Sequence, residues 1–296
     1  MRIAILVWLF CGAWIGWAGE NSPVKIALTF DDFPMGSSDV FECKDRVLLY
    51  RDKLNTLGIQ AAFFCIGERV AADREGECLP LIAQEHYVAN HSYHHTHLSA
   101  QELSDFKEEI LGTEAQLQNS PLFRRWFRFP YLDYGDRSSL GGTNRKRCAA
   151  FAFLRESGYR HGYVTMNTFD WYIDGQFKKA LKGGKSVHWE RLRSLYLSLL
   201  EEWMETYHQR WSGVLKRDFV HVLLLHQNDL NILFLEDLVA LIEAKGWKIV
   251  SPEQAFEKPI PYLAGFANTQ VRLFKGVKSL STAYIDERLL QEAVFY

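Results

Sequence analysis

Thr29-Phe30-Asp31-Asp32-Phe33-Pro34 closes an apolar run, Val24-Lys25-Ile26-Ala27-Leu28, that reads as a buried strand. Unpaired charges are costly to bury, and successive side chains of a regular strand point to opposite faces. Asp31 and Asp32 can therefore serve one centre only where the chain is leaving the strand, and Pro34 marks such an exit. A solvated turn accounts for the pair equally well, because Asp favours turns. What decides between the two lies downstream.

Helical spacing over 47–57 stops at Gly58, and a strand follows over 60–66. A short helix over 79–85 leads into a strand over 87–90, and an amphipathic helix covers 102–118. Further strands are expected at 126–129, 161–164, 219–225 and 247–250, with helices over 149–157, 188–210 and 235–245 between them. Strands alternating with helices in this way predict an α/β fold with a parallel sheet or barrel, in one domain. In barrels of this kind chemistry sits at the C-terminal ends of the strands.

The chain of 296 residues is 48% hydrophobic and 24% charged, as ordinary globular proteins are. A net charge of -2 gives no support for a nucleic-acid partner. Basic clusters such as Arg124-Arg125 and Lys178-Lys179 read as solvated faces. Arg2, the apolar run 3–17 and the small residues Ala18-Gly19 predict a signal peptide over residues 1–20, hence an exported protein, periplasmic or secreted, with no stable membrane span in the mature chain. Export makes disulfides possible among Cys43, Cys65, Cys78 and Cys148. Cys65 lies in a run that reads as buried, and Cys43 with Cys78 is the preferred bridge. Residues 21–260 form the expected domain, a helical insertion occupies about 175–216, and 261–296 is an extension packed outside it.

Each of the other strands that matters ends in chemistry. The strand over 87–90 runs into His91-Ser92-Tyr93-His94-His95-Thr96-His97, four of the ten histidines within one short stretch. Imidazole is the commonest metal ligand near neutral pH. His91 shares a helical face with His95 and equally with His94, so spacing alone does not name the pair. Arg128-Phe129-Pro130-Tyr131, Asp170-Trp171 and Leu223-Leu224-Leu225-His226 complete the set. Singly, each has a plain structural account as surface charge, turn residue or strand cap; together they point to a site.

Thr-Phe-Asp-Asp-x-Pro, His-Ser-x-x-His, Arg-x-Pro-Tyr, Asp-Trp and Leu-x-His, in that order, resemble the polysaccharide deacetylases, the carbohydrate esterases of family four with the NodB homology domain. The resemblance covers about 24–258 and implies a distorted (β/α) barrel of about seven parallel strands. It also implies a divalent metal, most often zinc, held by Asp32, His91 and His95. Asp31 matches the general base and His226 the general acid, with Arg128 keeping Asp31 ionised and Asp170 keeping His226 protonated. Tyr131 matches a backbone oxyanion donor, and Trp171 and Leu224 match the walls of the acetyl pocket.

The sequence departs from the family pattern at Phe33, Thr96 and Gln227-Asn228. Phe33 replaces a glycine and is expected to narrow or re-aim the approach beside the base. The Trp-rich insertion (Trp189, Trp203, Trp211) either packs on the barrel, the preferred reading, or shapes a substrate groove. The expected substrate is an acetylated glycan, and the expected reaction is N-deacetylation of GlcNAc units. An O-acetyl esterase, an amidase for small amides or imides and a non-catalytic glycan binder are the competing readings.

Overall fold

The computed structural model describes residues 22–73, 76–216, 218–257 and 273–296. The expected leader and the start of the C-terminal extension lie outside the described residues. The strands are β1 (Lys25–Phe33), β2 (Ala62–Cys65), β3 (Tyr87–Asn90), β4 (Phe123–Phe127), β5 (Arg160–His161), β6 (Met166–Asn167), β7 (Val220–His226) and β8 (Lys248–Ile249). Every pairing is parallel, in the order β5-β4-β3-β2-β1-β7-β6, with β8 also on β1. β1 is the hub. It pairs with β7 from Lys25↔Val220 to Asp31↔His226, while β8 and then β2 share its other edge.

β5 and β6 stand at opposite ends of that order, yet only residues 162–165 join them. So few residues span at most about 18 Å. The sheet must therefore curl until its ends approach, which makes the distorted barrel. This also corrects the expected strand over 161–164: it is two short strands on either side of the opening, a pattern too brief to be read from periodicity.

The strands β2, β3 and β7 are buried on both faces, as parallel strands are when helices cover them. The cover comes from α1 (Cys43–Thr56), α2 (Gly67–Ala72), α3 (Cys78–Ala83), α4 (Leu103–Leu117), α5 (Asn144–Glu156) and α6 (Asp170–Lys182). It continues with α7 (Trp189–Leu215), α8 (Asp229–Leu233), α9 (Leu235–Ala244), α10 (Pro252–Glu257) and α11 (Thr282–Gln291). No helix among the described residues is long and apolar enough to cross a membrane.

α7 buries Leu192, Leu195, Tyr196, Leu199, Trp203, Tyr207 and Trp211, one face of a helical repeat. The indoles of Trp203 and Trp211 are sealed, and each donates its N–H to a carbonyl, of Ser279 (2.9 Å) and of Thr165 (2.8 Å). The insertion is therefore core packing at these two rings, while Trp189 is half exposed against Phe177. The C-terminal segment closes over it: Ile285, Leu289 and Val294 join the main core, and Phe295 bridges to Val187.

Candidate active site

At its C-terminal end β1 slips register against β2 between Phe30 and Phe33, and Asp32 takes φ +67°. The left-handed region is open to Asp at modest cost. This bulge, and not the end of the strand, turns both Asp31 and Asp32 into the same cavity of about 580 Å³. The strand itself continues to Phe33, whose ring is fully buried and packs on Phe63 at 5.4 Å. The expectation that Phe33 narrows the approach is thus corrected: an aromatic ring is better accommodated in the core than beside two carboxylates.

Residues 91–97 form a loop and not the helical turn that the spacing allowed. Ser92 (φ 65°) and His95 (φ 57°) fold it back on itself. Ser92 Oγ accepts the His95 N–H at 3.0 Å, and the Glu109 carboxylate accepts the N–H groups of Tyr93 and His94 at 2.8 and 2.7 Å. His91 and His95 then face each other, Nε2 to Nε2 at 3.2 Å. His94 turns outward onto Glu109, and His97 bonds Asp133 while its ring stacks on Tyr131 at 3.9 Å.

His91 Nδ1 lies 2.9 Å from the Arg128 carbonyl, so it must carry the proton and donate it. That leaves Nε2 as a lone-pair donor facing Asp32 Oδ1 at 3.6 Å, with His95 Nε2 at 3.4 Å from the same oxygen. One ligand atom from each of Asp32, His91 and His95 falls within 4.8 Å of the others. Asp32 Oδ1 is buried with no hydrogen-bond partner. A buried carboxylate oxygen normally has one. The orphaned oxygen and two convergent imidazoles fit a divalent cation with positions left open, as a catalytic site of this kind requires. Burial alone would raise the Asp32 carboxyl, but His226, His91, His95 and Arg69 outweigh it and hold it below the ordinary range.

Asp31 sits beside this centre. Arg128, fully buried one residue past β4, donates from Nη1 to Asp31 Oδ1 (2.5 Å) and to Thr29 Oγ1 (2.8 Å), and from Nε to the Gly162 carbonyl (2.9 Å). Its guanidinium also lies over the Phe64 ring at 3.8 Å. Burial raises the Asp31 carboxyl, and Arg128, ahead of His226, pulls it back towards the ionised form as expected, though the net shift stays upward.

On the other side, β7 ends at His226, opposite Asp31 in the ladder. Its Nδ1 lies 2.9 Å from Asp170 Oδ1. Asp170 is sealed and accepts from five donors in all: His226 Nδ1, His226 N–H, Thr168 Oγ, Asn228 Nδ2 and Asn231 Nδ2. Burial would lower the His226 imidazole, but the Asp170 carboxylate, aided by Asp32 and Asp31, lifts it to about 9. Asp170 itself is held below the ordinary range, its burial outweighed by His226 and Thr168.

Tyr131 and Trp171 are half exposed at the cavity mouth, and Leu224 lines its wall from β7. All ten residues expected at the site are thus accounted for, eight on the cavity, Arg128 behind Asp31 and Asp170 behind His226. Sequence reasoning missed Arg69, whose Nη1 donates to the Asp32 carbonyl at 2.7 Å, and Asn231, which bridges Asp170 and the His226 carbonyl. Both lie on short helices, where no spacing signal marks them.

A family model described as polysaccharide deacetylase covers residues 18–144. The match is to the polysaccharide deacetylase family. It contains the residues from Asp31 to Tyr131, while Asp170, Trp171, Leu224 and His226 fall beyond it. A peptidoglycan-N-acetylglucosamine deacetylase of Bacillus cereus is 30% identical over 116 residues, a stretch that is 38% of this chain and 38% of that protein. Solved structures share the polysaccharide deacetylase fold. A peptidoglycan N-acetylglucosamine deacetylase aligns at TM-score 0.51 and 20% identity over 80% of this chain and 90% of that one. The chitin deacetylase of Colletotrichum lindemuthianum gives 0.54 and 18% over 82% and 91%. A pseudoenzyme of carbohydrate esterase family four from Bacillus anthracis gives 0.53 and 16% over 81% and 68%.

Proposed function

We propose that this chain is a metal-dependent hydrolase, exported to the periplasm or beyond, that removes N-acetyl groups from GlcNAc-containing glycans. The observation that supports it most is the pairing of opposite proton roles across one candidate metal centre: Asp31 against Arg128, His226 against Asp170, with Asp32, His91 and His95 between them.

Asp32, His91 and His95 would hold the metal, zinc by the chemistry of two imidazoles and a carboxylate. When bound, such an ion polarises the acetyl carbonyl and makes water a better nucleophile. The chain's own residues do the rest. Asp31 accepts the proton of the attacking water, and its raised carboxyl keeps that acceptance closer to working pH. Arg128 fixes the carboxylate's orientation through three neighbouring contacts and carries no proton. His226, held as a cation up to about 9, donates to the departing nitrogen. Tyr131, with φ 56°, lines the cavity, and its backbone N–H would be the donor for the developing oxyanion.

His226 also favours the amide over the ester reading. Expelling nitrogen demands prior protonation more strictly than expelling an alkoxide, and a well-supported cationic acid answers that demand. The test is acetate release from N-acetylated chito-oligosaccharides and peptidoglycan fragments alongside acetylated xylan and small amides. Turnover of the N-acetylated glycans, lost on chelation and in Asp31→Asn, supports the proposal. Turnover confined to acetylated xylan or to small amides overturns it, and glycan affinity without any turnover favours a binder.

A further inference from the structure

We propose that Cys43 and Cys78 form an intramolecular disulfide tying the first turn of α1 to the first turn of α3. Their Sγ atoms already lie 3.3 Å apart as thiols, across 35 positions of sequence. Cys43 opens α1 and Cys78 opens α3, where their backbone N–H groups donate to Ser37 Oγ and to Asp73 Oδ2. The adjacent residues Lys44 and Glu77 form an ion pair that holds the two ends side by side. The other two cysteines stand elsewhere. Cys65 is sealed within β2, its thiol raised by burial, and Cys148 is exposed on α5.

The chemistry of the pair is asymmetric in the useful direction. Cys43 is half-buried and Cys78 buried, so an external reagent reaches Cys43 first. The hydrogen bond from Cys78 lowers the Cys43 thiol to about 7. The oxidant required is an external disulfide of the glutathione class. The Cys43 thiolate attacks one sulfur of oxidised glutathione and expels one glutathione thiolate. The deprotonated Cys78 sulfur then attacks the Cys43 sulfur of the mixed disulfide and expels the second. Two thiols lose two protons and two electrons, and one small disulfide becomes two thiols.

The bridge has consequences for the cavity wall. The Cys43 N–H donates to Ser37 Oγ at 3.1 Å. One turn on, buried Arg46 donates to the carbonyls of Met35 (2.7 Å) and Gly36 (2.5 Å) and to Asp229 (2.5 Å). Met35 lines the same cavity as Asp31. The staple therefore anchors the helix turn from which segment 34–42 is hung. It does not depend on the proposed activity.

The full chain, incubated with oxidised glutathione, denatured without reductant and alkylated, is mapped by mass spectrometry. The expected result is a peptide containing Cys43 joined to one containing Cys78, lighter by two hydrogens, and two fewer titratable thiols than after dithiothreitol. Closing a loop of this length is expected to raise Tm by about 7 °C. Reduction of the unmutated chain should remove that increment, and Cys43→Ser, Cys78→Ser and the double variant should all melt at the reduced value. Both cysteines remaining alkylatable, a link to Cys65 or Cys148, or a Tm indifferent to reduction would each overturn the proposal.

Discussion

Asp170→Asn isolates the source of the His226 charge. Asn keeps the shape and one acceptor oxygen but removes the anion that lifts the imidazole to about 9. With that anion gone, burial is opposed only by the weaker pull of Asp32 and Asp31, and the ring falls back to about 6.5. At pH 8 the protonated fraction then falls from about nine-tenths to a few per cent, about a thirty-fold loss of competent acid; at pH 7 the loss is only about four-fold. The new amide also sets an NH2 group among donors that now have one acceptor too few: the His226 N–H, Asn228 Nδ2 and Asn231 Nδ2. A stability cost of about 1–3 kcal/mol should accompany it. The assay is kcat/KM for acetate release between pH 5.5 and 10, with Tm measured in parallel. A basic limb that moves down by about two units identifies Asp170 as the group that keeps the acid charged. A uniform fall across the pH range, with the basic limb still near 9, would refute the reasoning and leave Asp170 a structural residue.

Removing Arg128 as Arg128→Met takes away a cation that lowers Asp31, so the acidic limb of the same profile should move up in pH, and its failure to move would show that Asp31 is not the base. That variant also leaves a buried carboxylate without its partner and should lose about 3–5 kcal/mol of stability by urea titration. Phe33→Ala should cost about 3–5 kcal/mol while leaving KM for the glycan within a factor of two, because the ring fills core and not cavity; a large KM change with stability intact would contradict this. Burial holds His86 at about 4 and His161 and His221 at about 3, below the ordinary 6.5. The unfolded chain then takes up protons before the folded one, so their effect is absent above about pH 6.5 and stability is lost as pH falls through 6.5 towards 3, by about 1 kcal/mol per histidine per pH unit. Thermal melts from pH 7.5 to 4.5 test this, and a flat Tm over that range would contradict it.

The parallel barrel and the site were legible because the informative residues cluster at strand ends, where an apolar run stops against a carboxylate, an imidazole or a guanidinium. The metal ligands were named only by resemblance, since His91 pairs as well with His94 as with His95 on spacing. The structure separates them through a backbone contact, His91 Nδ1 to the Arg128 carbonyl, and through Glu109 drawing His94 outward. No pattern of residue types encodes either. The bulge at Asp32 was misread as a strand exit for a similar reason: a left-handed φ at one residue leaves the apolar run on both sides unchanged. β6 escaped because two residues carry no period. Arg69 acts through one hydrogen bond and Asn231 through two, from short helices that are otherwise unremarkable in composition.

Anomalous diffraction at the zinc absorption edge, on crystals grown with one equivalent of zinc, addresses the central claim most directly. The account predicts one dominant peak bonded at about 2.0–2.2 Å to Asp32 Oδ1, His91 Nε2 and His95 Nε2. A peak held instead by the His208 and His221 pair, or density showing those three atoms bridged by water with no metal at any zinc concentration, would contradict it.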